Sequence, residues 1–393
     1  MKQNKIISII TIVLFLAVIF GFGVSFWIVP DKTFSESENR VLQSFPQISF
    51  QSILDGELSE DFNAYYTDQF PLRDGMLTLG GVTQLAMGQG ESNGVLVGKN
   101  GQLAVRKFDA YISLTQRAYD TDYFSPAHIQ NSITSLEALE QKLEIPLTVL
   151  PAPRTIDVTI SAFDYPKEIC DNLHDTLFDG LHQAGVDTLD LTSTYQSLYE
   201  SGEYVYYRTD HHWTTLGAYT AYVTLMEHWG MANDILPQEA FDVQTVEDFY
   251  GTTWSRAGLS YLPADTLEIW SMADDNTYVM ADKDGKTIQK GFIDPSYLSK
   301  KDKYGAFLSG TRQIITITQE NNTAPKPRLL VARDSFASAI APFLARHFDL
   351  VLVNLSGGMT NLSSYATTYQ CDRVLVLCNL ENFVTSDCIL RIE

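Results

Sequence analysis

The chain has 393 residues, of which 48 are acidic and 27 basic, and its formal net charge is −21 at pH 7. A negative charge of this size repels phosphate backbones and argues against nucleic-acid binding. Hydrophobic residues make up 45% of the chain and charged residues 19%, so a substantial core can form, and both a disordered chain and a small disulfide scaffold are excluded.

The first predicted element is an apolar transmembrane helix over Ile6–Val29, which follows Lys2 and Lys5 and contains no charged residue. At a rise of 1.5 Å per residue, 24 residues cross a hydrocarbon core about 30 Å thick. We interpret the segment as an uncleaved anchor, and a long cleaved signal peptide is the alternative. The lysines favour a cytoplasmic tip over residues 1–5, which puts the bulk of the chain outside the cell membrane.

Residues 30–85 are predicted to form a stalk and a helical lead-in. A helix is expected over Asp55–Tyr66 and should end before Pro71, because proline disfavours helical backbone in the residue before it. The run Asn93–Gly101 has a turn signal at each end of a short apolar stretch, which is typical of a strand entering a hairpin. The compact domain is expected to occupy residues 86–393.

Within that domain, short apolar runs alternate with helical segments. This pattern favours an α/β fold with a mostly parallel sheet and helices on both faces. The predicted strands are Pro146–Leu150, Val186–Leu191, Leu329–Ala332, Leu350–Val353 and Val374–Leu377, and the predicted helices are His128–Lys142, Glu168–Gln183 and Phe336–Arg346. Residues 242–312 are rich in Asp, Gly, Ser and Tyr and are expected to form an irregular insertion over the active edge of the sheet.

The cysteines, Cys170, Cys371, Cys378 and Cys388, are too irregularly spaced for a CxxC metal site. An external compartment permits a disulfide that involves Cys388. Four buried thiols are an equally open alternative.

Ser335 is a candidate nucleophile because of its place between a strand and a helix. Ligands of open parallel sheets bind beyond the carboxyl ends of the strands. In the run Leu329–Ser338 a strand gives way to a helix within three residues, and Ser335 falls at the turn. The unpaired N–H groups at the start of a helix can stabilise an oxyanion beside such a hydroxyl. The alternative is that Asp334 or Ser335 only caps the helix.

A second candidate segment, Tyr206–Thr215, holds two of the seven histidines. If the segment is extended, Asp210 and His212 share a face while His211 points elsewhere. A carboxylate beside an imidazole fixes its tautomer and stabilises the imidazolium that forms when the ring takes a serine proton. With Ser335 the sequence therefore predicts a nucleophile, a base and an orienting carboxylate. The alternative is an Asp-His pair that caps the following helix.

Several of these segments resemble the DHHW protein family. The resembling segments are Thr209–Trp213, Gly217–Tyr219, Arg333–Phe336 and Pro342–Leu344, together with Ser37–Arg40, Asp68–Arg73 and Asn93–Val95. That family is similar to alginate O-acetylation proteins and, more distantly, to SGNH hydrolases. The resemblance implies an SGNH-like three-layer α/β/α fold in which the Asp-x-His element precedes the serine, a circularly permuted motif order.

The resemblance also implies roles for individual residues. Ser335 takes the position of the serine in a Gly-Asp-Ser motif, and Asp210 and His212 form the Asp-x-His element. Arg333 stands where the motif has glycine. Its side chain is therefore expected to narrow the pocket or to contact an anionic or carbonyl oxygen.

Three further residues are candidates for contacts with the substrate. Asn354 directly follows a predicted strand and is the candidate for a second oxyanion donor. Asn379, after the next strand, is its rival, and an ordinary polar turn is the alternative for both. Arg208, close before the Asp-x-His element, is a candidate for substrate binding.

The leading hypothesis is an extracytoplasmic serine esterase or O-acetyltransferase that acts on a cell-surface or secreted polysaccharide. Neither a cofactor nor a metal is expected. The expected partners are the glycan, the membrane through the N-terminal anchor, and a membrane protein that supplies acyl groups. Trp213, Trp254, Tyr250 and Tyr261 are candidates for stacking on sugar rings, with core packing as the alternative.

Two other classes of protein remain open. The first is a non-catalytic glycan-binding or assembly subunit in which Arg333 occupies the pocket. The second is a metal phosphoesterase, because Asp-His-His is also a metal-binding tripeptide. That class needs carboxylates at other strand ends, and Asp187 and Asp190 are the nearest candidates.

Overall fold

The computed structural model describes residues 2–35, 40–105, 126–164, 173–310, 312–322, 324–357 and 360–392. The chain divides into two compact units. Unit 1 comprises residues 1–93 and 255–261, and unit 2 comprises residues 94–254 and 262–393. Cys170, the motif residues 37–39 and the start of the helix predicted from Glu168 lie outside the described ranges.

The elements are numbered here in chain order over the described residues. The α-helices are α1 Lys2–Ile28, α2 Phe50–Leu54, α3 Glu57–Asp68, α4 Arg73–Ala86, α5 Pro126–Lys142, α6 Thr155–Val158, α7 Leu173–Gln183, α8 Thr192–Glu200, α9 Thr215–His228, α10 Thr252–Ala257, α11 Ala337–Leu344, α12 Leu362–Thr368 and α13 Leu380–Thr385. The strands are β1 Phe34–Ser35, β2 Arg40–Val41, β3 Glu91–Ser92, β4 Val95–Val97, β5 Leu103–Val105, β6 Leu147–Ala152, β7 Asp242–Phe249, β8 Asp265–Ser271, β9 Tyr278–Asp282, β10 Thr287–Lys290, β11 Ile314–Gln319, β12 Arg328–Arg333, β13 Asp349–Asn354 and β14 Arg373–Asn379.

Unit 1 contains the apolar helix α1. Its segment Lys5–Ile28 has a mean hydropathy of 2.8 and is long enough to cross a membrane, as a transmembrane anchor or as a signal segment. At the end of α1, the ring of Phe26 lies 5.7 Å from that of Tyr65 in α3 and 5.0 Å from that of Tyr66. The Tyr65 hydroxyl also donates a hydrogen bond of 3.0 Å to Asp31, which follows α1. The ring contacts and this hydrogen bond therefore join the end of α1 to α3.

The helix predicted over Asp55–Tyr66 occurs as α3, Glu57–Asp68, and the separate short helix α2 precedes it. Gly56 separates α2 from α3 and has a φ of +80°, a backbone conformation that glycine adopts without steric cost. Helix α3 ends at Asp68, before Pro71, as the sequence predicts. The hairpin predicted near Asn93 is also present, with β4 and β5 paired antiparallel in unit 2.

Unit 2 is built on a seven-stranded sheet with the order β10-β9-β11-β13-β12-β14-β6. Strands β13, β12, β14 and β6 pair in parallel, whereas β11, β9 and β10 continue the sheet through antiparallel pairs. The sheet is therefore mixed, and its parallel part is the one predicted from the continuous apolar runs. Such runs are typical of strands that are buried on both faces.

Alternate residues of β12 belong to two separate apolar clusters. Leu329 and Val331 pack in one cluster with residues of α9 and α11. Leu330 and Ala332 pack in the other with residues of α5, α7, α12 and α13. Helices therefore cover both faces of the parallel strands, because successive strand residues point to opposite faces.

Two predicted segments differ from the structure. Residues 186–191 form only an isolated bridge, in which Thr188 pairs with Val149. Residues 242–312, expected to be irregular, contain the antiparallel pair β7–β8 and the two outer strands β9 and β10 of the main sheet. The alternating burial of Tyr278–Asp282 explains the second difference, because a half-buried strand lacks the continuous apolar run of a strand buried on both faces.

The described cysteines, Cys371, Cys378 and Cys388, are free and buried. Burial raises the pKa of all three thiols above the ordinary value. They are therefore inert apolar contributors to the core, in agreement with the buried-thiol alternative for these positions.

Candidate active site

The parallel strands bring the predicted site residues to one edge of the sheet. Arg333 at the end of β12 is in register with Asn354 at the end of β13. On the other side of β12, the end of β14 at Asn379 is in register with the end of β6 at Ala152. Ser335 lies two residues beyond β12 and therefore at this carboxyl edge, where ligands of parallel sheets bind.

The turn that carries Ser335 is held by the partly buried carboxylate of Asp334. One carboxylate oxygen accepts a hydrogen bond of 2.9 Å from the backbone N–H of Phe336. The other accepts bonds of 2.7 Å from the backbone N–H of Asn379 and from the side chain of Asn382. Asp334 thus holds the turn that presents Ser335, whereas α11 begins after Phe336 without a side-chain cap. Among the described residues, no group accepts a hydrogen bond from the Ser335 N–H.

The second motif forms a tight loop rather than the extended segment expected from the sequence. Tyr206 and Trp213 form an antiparallel bridge, and the residues between them bend back. The indole N–H of Trp213 donates to the backbone oxygen of Phe336 at 3.2 Å, which ties this loop to the turn of Ser335. Thr214 then caps α9 by accepting from the backbone N–H of Gly217 at 3.2 Å.

Asp210, His212 and Ser335 form a continuous chain of hydrogen bonds. One oxygen of Asp210 lies 2.5 Å from Nδ1 of His212 and also accepts from the His212 backbone N–H at 3.0 Å. Nε2 of the same ring lies 2.7 Å from Oγ of Ser335. Because the carboxylate accepts the Nδ1 proton, Nε2 carries the lone pair that faces the serine hydroxyl.

The other oxygen of Asp210 is held by Thr252. It accepts from the Thr252 backbone N–H at 2.7 Å and from the Thr252 hydroxyl at 3.0 Å. A Cβ atom on Gly251 would overlap the Asp210 side chain, so only glycine fits beside it. Burial by itself raises the pKa of Asp210, but the nearby histidines and the hydrogen bonds from His212 and Thr252 outweigh it and hold the pKa well below the ordinary value.

His211 does not point away from the site. Its ring centroid lies 3.9 Å from that of His212, and its Nδ1 lies 2.7 Å from the hydroxyl oxygen of Thr252. Loss of hydration and the neighbouring His212 lower the pKa of His211. The expected separation of the two histidines is wrong because the loop bends between them.

Tyr304 covers another part of the His212 ring. The two rings are nearly parallel, with an angle of 12° and a centroid distance of 3.9 Å. Tyr304 is buried, and its hydroxyl has no hydrogen-bond partner among the described residues. Phe336 also packs on His212, at a centroid distance of 4.8 Å. These contacts hold the plane of the imidazole.

Arg208 is engaged within the fold. Its Nε donates to the buried carboxylate of Asp265 at 3.1 Å, and its guanidinium lies over the ring of Tyr204. Asp265 also accepts bonds of 2.7 and 2.6 Å from the backbone and hydroxyl of Thr209, directly before Asp210. Arg208 therefore supports the loop that carries Asp210 through its bond to Asp265.

Arg333 is fully buried, which differs from its expected place in the pocket. Its Nη1 donates to the hydroxyl of Ser338 at 3.2 Å and to the backbone oxygen of Asp334 at 3.4 Å. Burial lowers its pKa to about 10. The guanidinium is therefore held inside the fold by its bonds to Asp334 and Ser338.

The two asparagine candidates lie at the predicted edge, but neither side chain bonds to Ser335 in the described structure. The side-chain oxygen of Asn354 accepts from the backbone N–H of Ser356 at 3.1 Å. The side-chain oxygen of Asn379 accepts from the backbone N–H of Glu381 at 2.8 Å and caps α13. Asn379 is the one connected to the nucleophile turn, through its backbone bond to Asp334.

The aromatic candidates for sugar stacking separate into different environments. Trp213 is fully buried and belongs to the core. Tyr250 and Trp254 contact each other at a centroid distance of 4.7 Å. The backbone N–H of Trp254 donates to the backbone oxygen of Thr209 at 2.8 Å, which places this pair beside the motif loop. Tyr261 is exposed in unit 1.

Asp210, His211 and His212 offer ligand atoms within 4.8 Å of one another, but the carboxylates needed for a metal phosphoesterase lie elsewhere. Asp187 bonds to His228 at 2.8 Å and to Thr148 at 2.7 Å, near the amino end of β6 and so at the opposite edge of the sheet. Asp190 lies 3.1 Å from His174. The described residues therefore do not assemble the donor set of that alternative.

Several residues that support the site are not indicated by any motif in the sequence. They are Gly251, Thr252, Asp265, Tyr304 and Asn382. Each contacts the site across more than 40 positions of sequence, and each belongs to a common residue type.

Comparison with known proteins identifies the family of the chain. The family described as DHHW protein matches residues 108–354, which is well over half of the chain and includes both motif segments. The chain belongs to this family. A probable alginate O-acetylase AlgJ of Pseudomonas syringae pv. tomato is 28% identical over 191 residues, which cover 46% of this chain and 45% of the relative. The chain thus spans less than half the length of this curated relative.

Two solved structures have a similar fold. A DHHW family protein from Eubacterium siraeum superposes with a TM-score of 0.61 at 19% identity, over 76% of this chain and 95% of that one. Bacillus cereus PatB1 superposes with a TM-score of 0.55 at 18% identity, over 68% of this chain and 94% of that one. The likeness identifies a shared mixed α/β fold.

Proposed function

We propose that this DHHW protein is an extracytoplasmic serine enzyme that transfers acetyl groups to, or removes them from, the hydroxyl groups of a polysaccharide. The observation that carries the proposal is the hydrogen-bond chain from Asp210 through His212 to Ser335, with links of 2.5 and 2.7 Å. The relative named as a probable alginate O-acetylase supports acetyl as the acyl group and polysaccharide as the substrate class.

In this mechanism Asp210 keeps the His212 proton on Nδ1, so Nε2 accepts the proton of the Ser335 hydroxyl. The serine oxygen attacks the carbonyl carbon of an ester, and the resulting imidazolium returns the proton to the leaving alcohol. An acetyl group then remains on Ser335. Water completes hydrolysis, or a sugar hydroxyl completes transfer, by attack on the acyl-enzyme.

The oxyanion formed during attack requires hydrogen-bond donors. The Ser335 N–H is the first proposed donor, since no described group accepts its hydrogen bond. Asn379 is the preferred second donor and Asn354 the rival, because the Asn379 backbone already contacts the carboxylate that holds the nucleophile turn.

The proposal includes an architecture and a location. Helices on both faces of the parallel strands support a three-layer SGNH-like core over residues 86–393, with the Asp-x-His element ahead of the serine in a permuted order. Helix α1 is proposed as a single-pass anchor over residues 6–29 with a cytoplasmic tip and a stalk over residues 30–85. Its aromatic packing within unit 1 supports its retention. A membrane protein that supplies acyl groups is the proposed partner.

A serine-directed probe tests the proposal. Full-length protein in detergent is treated with a fluorophosphonate, and the modified residue is located by mass spectrometry. The expected result is a single adduct on Ser335, together with release of nitrophenol from p-nitrophenyl acetate. Ser335→Ala should lower that release by about 10²-fold or more.

Ser364→Ala is the matched control, because Ser364 is an exposed serine in the first turn of another helix, α12. Its adduct and its rate of release should equal those of the wild-type protein. Absence of a Ser335 adduct combined with an unchanged rate in Ser335→Ala would favour a non-catalytic glycan-binding subunit instead.

A further inference from the structure

A second imidazole stands beside the proposed base without a role in the mechanism above. The ring of His211 lies 3.9 Å from that of His212. Its side chain is 39% exposed, whereas the side chain of His212 is 7% exposed. His211 is thus the more accessible of the two rings at the site.

The proton position on His211 follows from its partners. The Thr252 hydroxyl has one proton, and it donates that proton to the ionised carboxylate of Asp210 at 3.0 Å. The hydroxyl oxygen must then accept the hydrogen bond that joins it to Nδ1 of His211 at 2.7 Å. Nδ1 of His211 also lies 3.6 Å from a carboxylate oxygen of Asp210. This negative charge likewise favours a proton on Nδ1. The neutral ring therefore carries its proton on Nδ1.

This tautomer leaves Nε2 of His211 as a lone-pair acceptor. Among the described residues, no group donates a hydrogen bond to Nε2. Loss of hydration and the neighbouring His212 lower the pKa of His211, which keeps the ring neutral near pH 7. An acceptor without a protein partner, on a partly exposed side chain next to the base of the reaction, is suited to a hydroxyl group of the substrate.

We propose that Nε2 of His211 binds a hydroxyl group of the acyl acceptor, so that the site selects acceptors with two neighbouring hydroxyl groups. One hydroxyl donates to Nε2 of His212 and reacts, while its neighbour donates to Nε2 of His211. Sugars and small polyols carry such pairs, and simple alcohols do not. The inference rests on the proposed function, because it needs an acyl group on Ser335.

Transfer forms one ester bond as it breaks another. The oxygen of the reacting hydroxyl forms a bond to the acyl carbon, and its proton moves to Nε2 of His212. The bond between the acyl carbon and Oγ of Ser335 then breaks, and the proton moves from His212 to Oγ. The hydroxyl bound by His211 keeps its proton throughout and only orients the acceptor.

Competition between two acceptors tests the inference. Full-length protein in detergent receives p-nitrophenyl acetate as donor and equal concentrations of glycerol and 1-propanol as acceptors. The ratio of acetylated glycerol to propyl acetate is measured by mass spectrometry. This ratio does not depend on the rate of acylation, because both products come from the same acyl-enzyme. The wild-type protein should favour glycerol.

Two substitutions separate acceptor binding from a structural role. Asparagine places its N–H near the position of Nδ1, so His211→Asn keeps the donor to Thr252 and loses the distal acceptor. Glutamine reaches the position of Nε2, so His211→Gln keeps a distal acceptor and loses the donor. The glycerol preference should fall about 3- to 10-fold in His211→Asn, the worth of one hydrogen bond, and should fall less in His211→Gln.

His182→Asn is the control, since His182 is an exposed histidine in the last turn of α7, and it should keep the wild-type ratio. A glycerol preference in His211→Asn equal to that of the wild-type protein would overturn the inference. A glycerol preference lost only in His211→Gln would also overturn it, because His211 would then have a structural role through Thr252. Either result leaves the fluorophosphonate adduct on Ser335 intact. Failure of the wild-type protein to form that adduct would overturn the proposed function and this inference together.

Discussion

Nε2 of His212 lies 2.7 Å from Oγ of Ser335, although 123 positions of sequence separate the two residues. Two hydrogen bonds between a side chain and the backbone support this contact. The turn of Ser335 is held by the carboxylate of Asp334, and the loop of His212 is tied to the same turn by the bond from Trp213 to Phe336. The reactivity of the serine should therefore be sensitive to groups that hold either turn.

Asp210→Asn should reduce acylation by on the order of 10² to 10⁴-fold. The oxygen of the new amide would take the two bonds from Thr252, so its NH2 group would face His212 and force the ring proton onto Nε2. The ring could then no longer accept the serine proton. The rate of fluorophosphonate labelling measures the effect. Asp187→Asn, which changes a carboxylate bonded to His228 at the opposite sheet edge, should leave the rate unchanged.

Gly251→Ala should lower acylation by about 10²-fold, because the new Cβ overlaps the Asp210 side chain and shifts the carboxylate away from His212. The rate of nitrophenol release from p-nitrophenyl acetate measures the loss, and circular dichroism checks the fold. Gly75→Ala is the matched control, since no atom lies within 4 Å of a Cβ at that position. Equal rates in the two variants would contradict the close approach of Gly251 and Asp210.

Substitution of Tyr304 should separate its ring from its hydroxyl. Tyr304→Phe keeps the ring stacked on His212 and removes a buried hydroxyl without a partner, so activity should persist and the free energy of unfolding should not fall. Tyr304→Leu loses the stacking, which is worth about 0.5–1.5 kcal/mol, and should lower kcat/KM about 2- to 12-fold. A Phe variant as impaired as the Leu variant would instead assign the role to the hydroxyl.

The raised pKa of His174 predicts that the stability of the fold depends on pH. The hydrogen bond to Asp190, opposed in part by burial, raises the pKa of His174 from 6.5 to about 9. A pKa raised by folding stabilises the native state fully below pH 6.5, and this contribution disappears as the pH rises through 9.

His174→Asn should therefore lower the free energy of unfolding at pH 6 and lower it much less at pH 10. The loss at pH 6 should be only about 1 kcal/mol, because the charges are partly exposed and solvent screens them. Urea unfolding at the two pH values measures the difference. His182→Asn is the control and should show the same small effect at both values. A larger loss for His174→Asn at pH 10 than at pH 6 would contradict the assignment.

The sequence by itself determined the elements that depend on local patterns. The charge-free run after Lys5 specifies an apolar helix, and the apolar runs specify the four parallel strands, because burial on both faces requires continuous hydrophobicity. Since parallel strands end at one edge, the positions of Ser335 just beyond β12 and of Asn379 at the end of β14 also followed from the sequence.

Only the tertiary structure decided the contacts made across the chain. The bend that brings His211 beside His212, the closure of Gly251 over Asp210 and the ring of Tyr304 on the imidazole have no local signature. The half-buried outer strands of the sheet were missed because they lack a continuous apolar run. A loop side chain takes its direction from whichever distant atoms pack against it, and that information is absent from the pattern of its own neighbours.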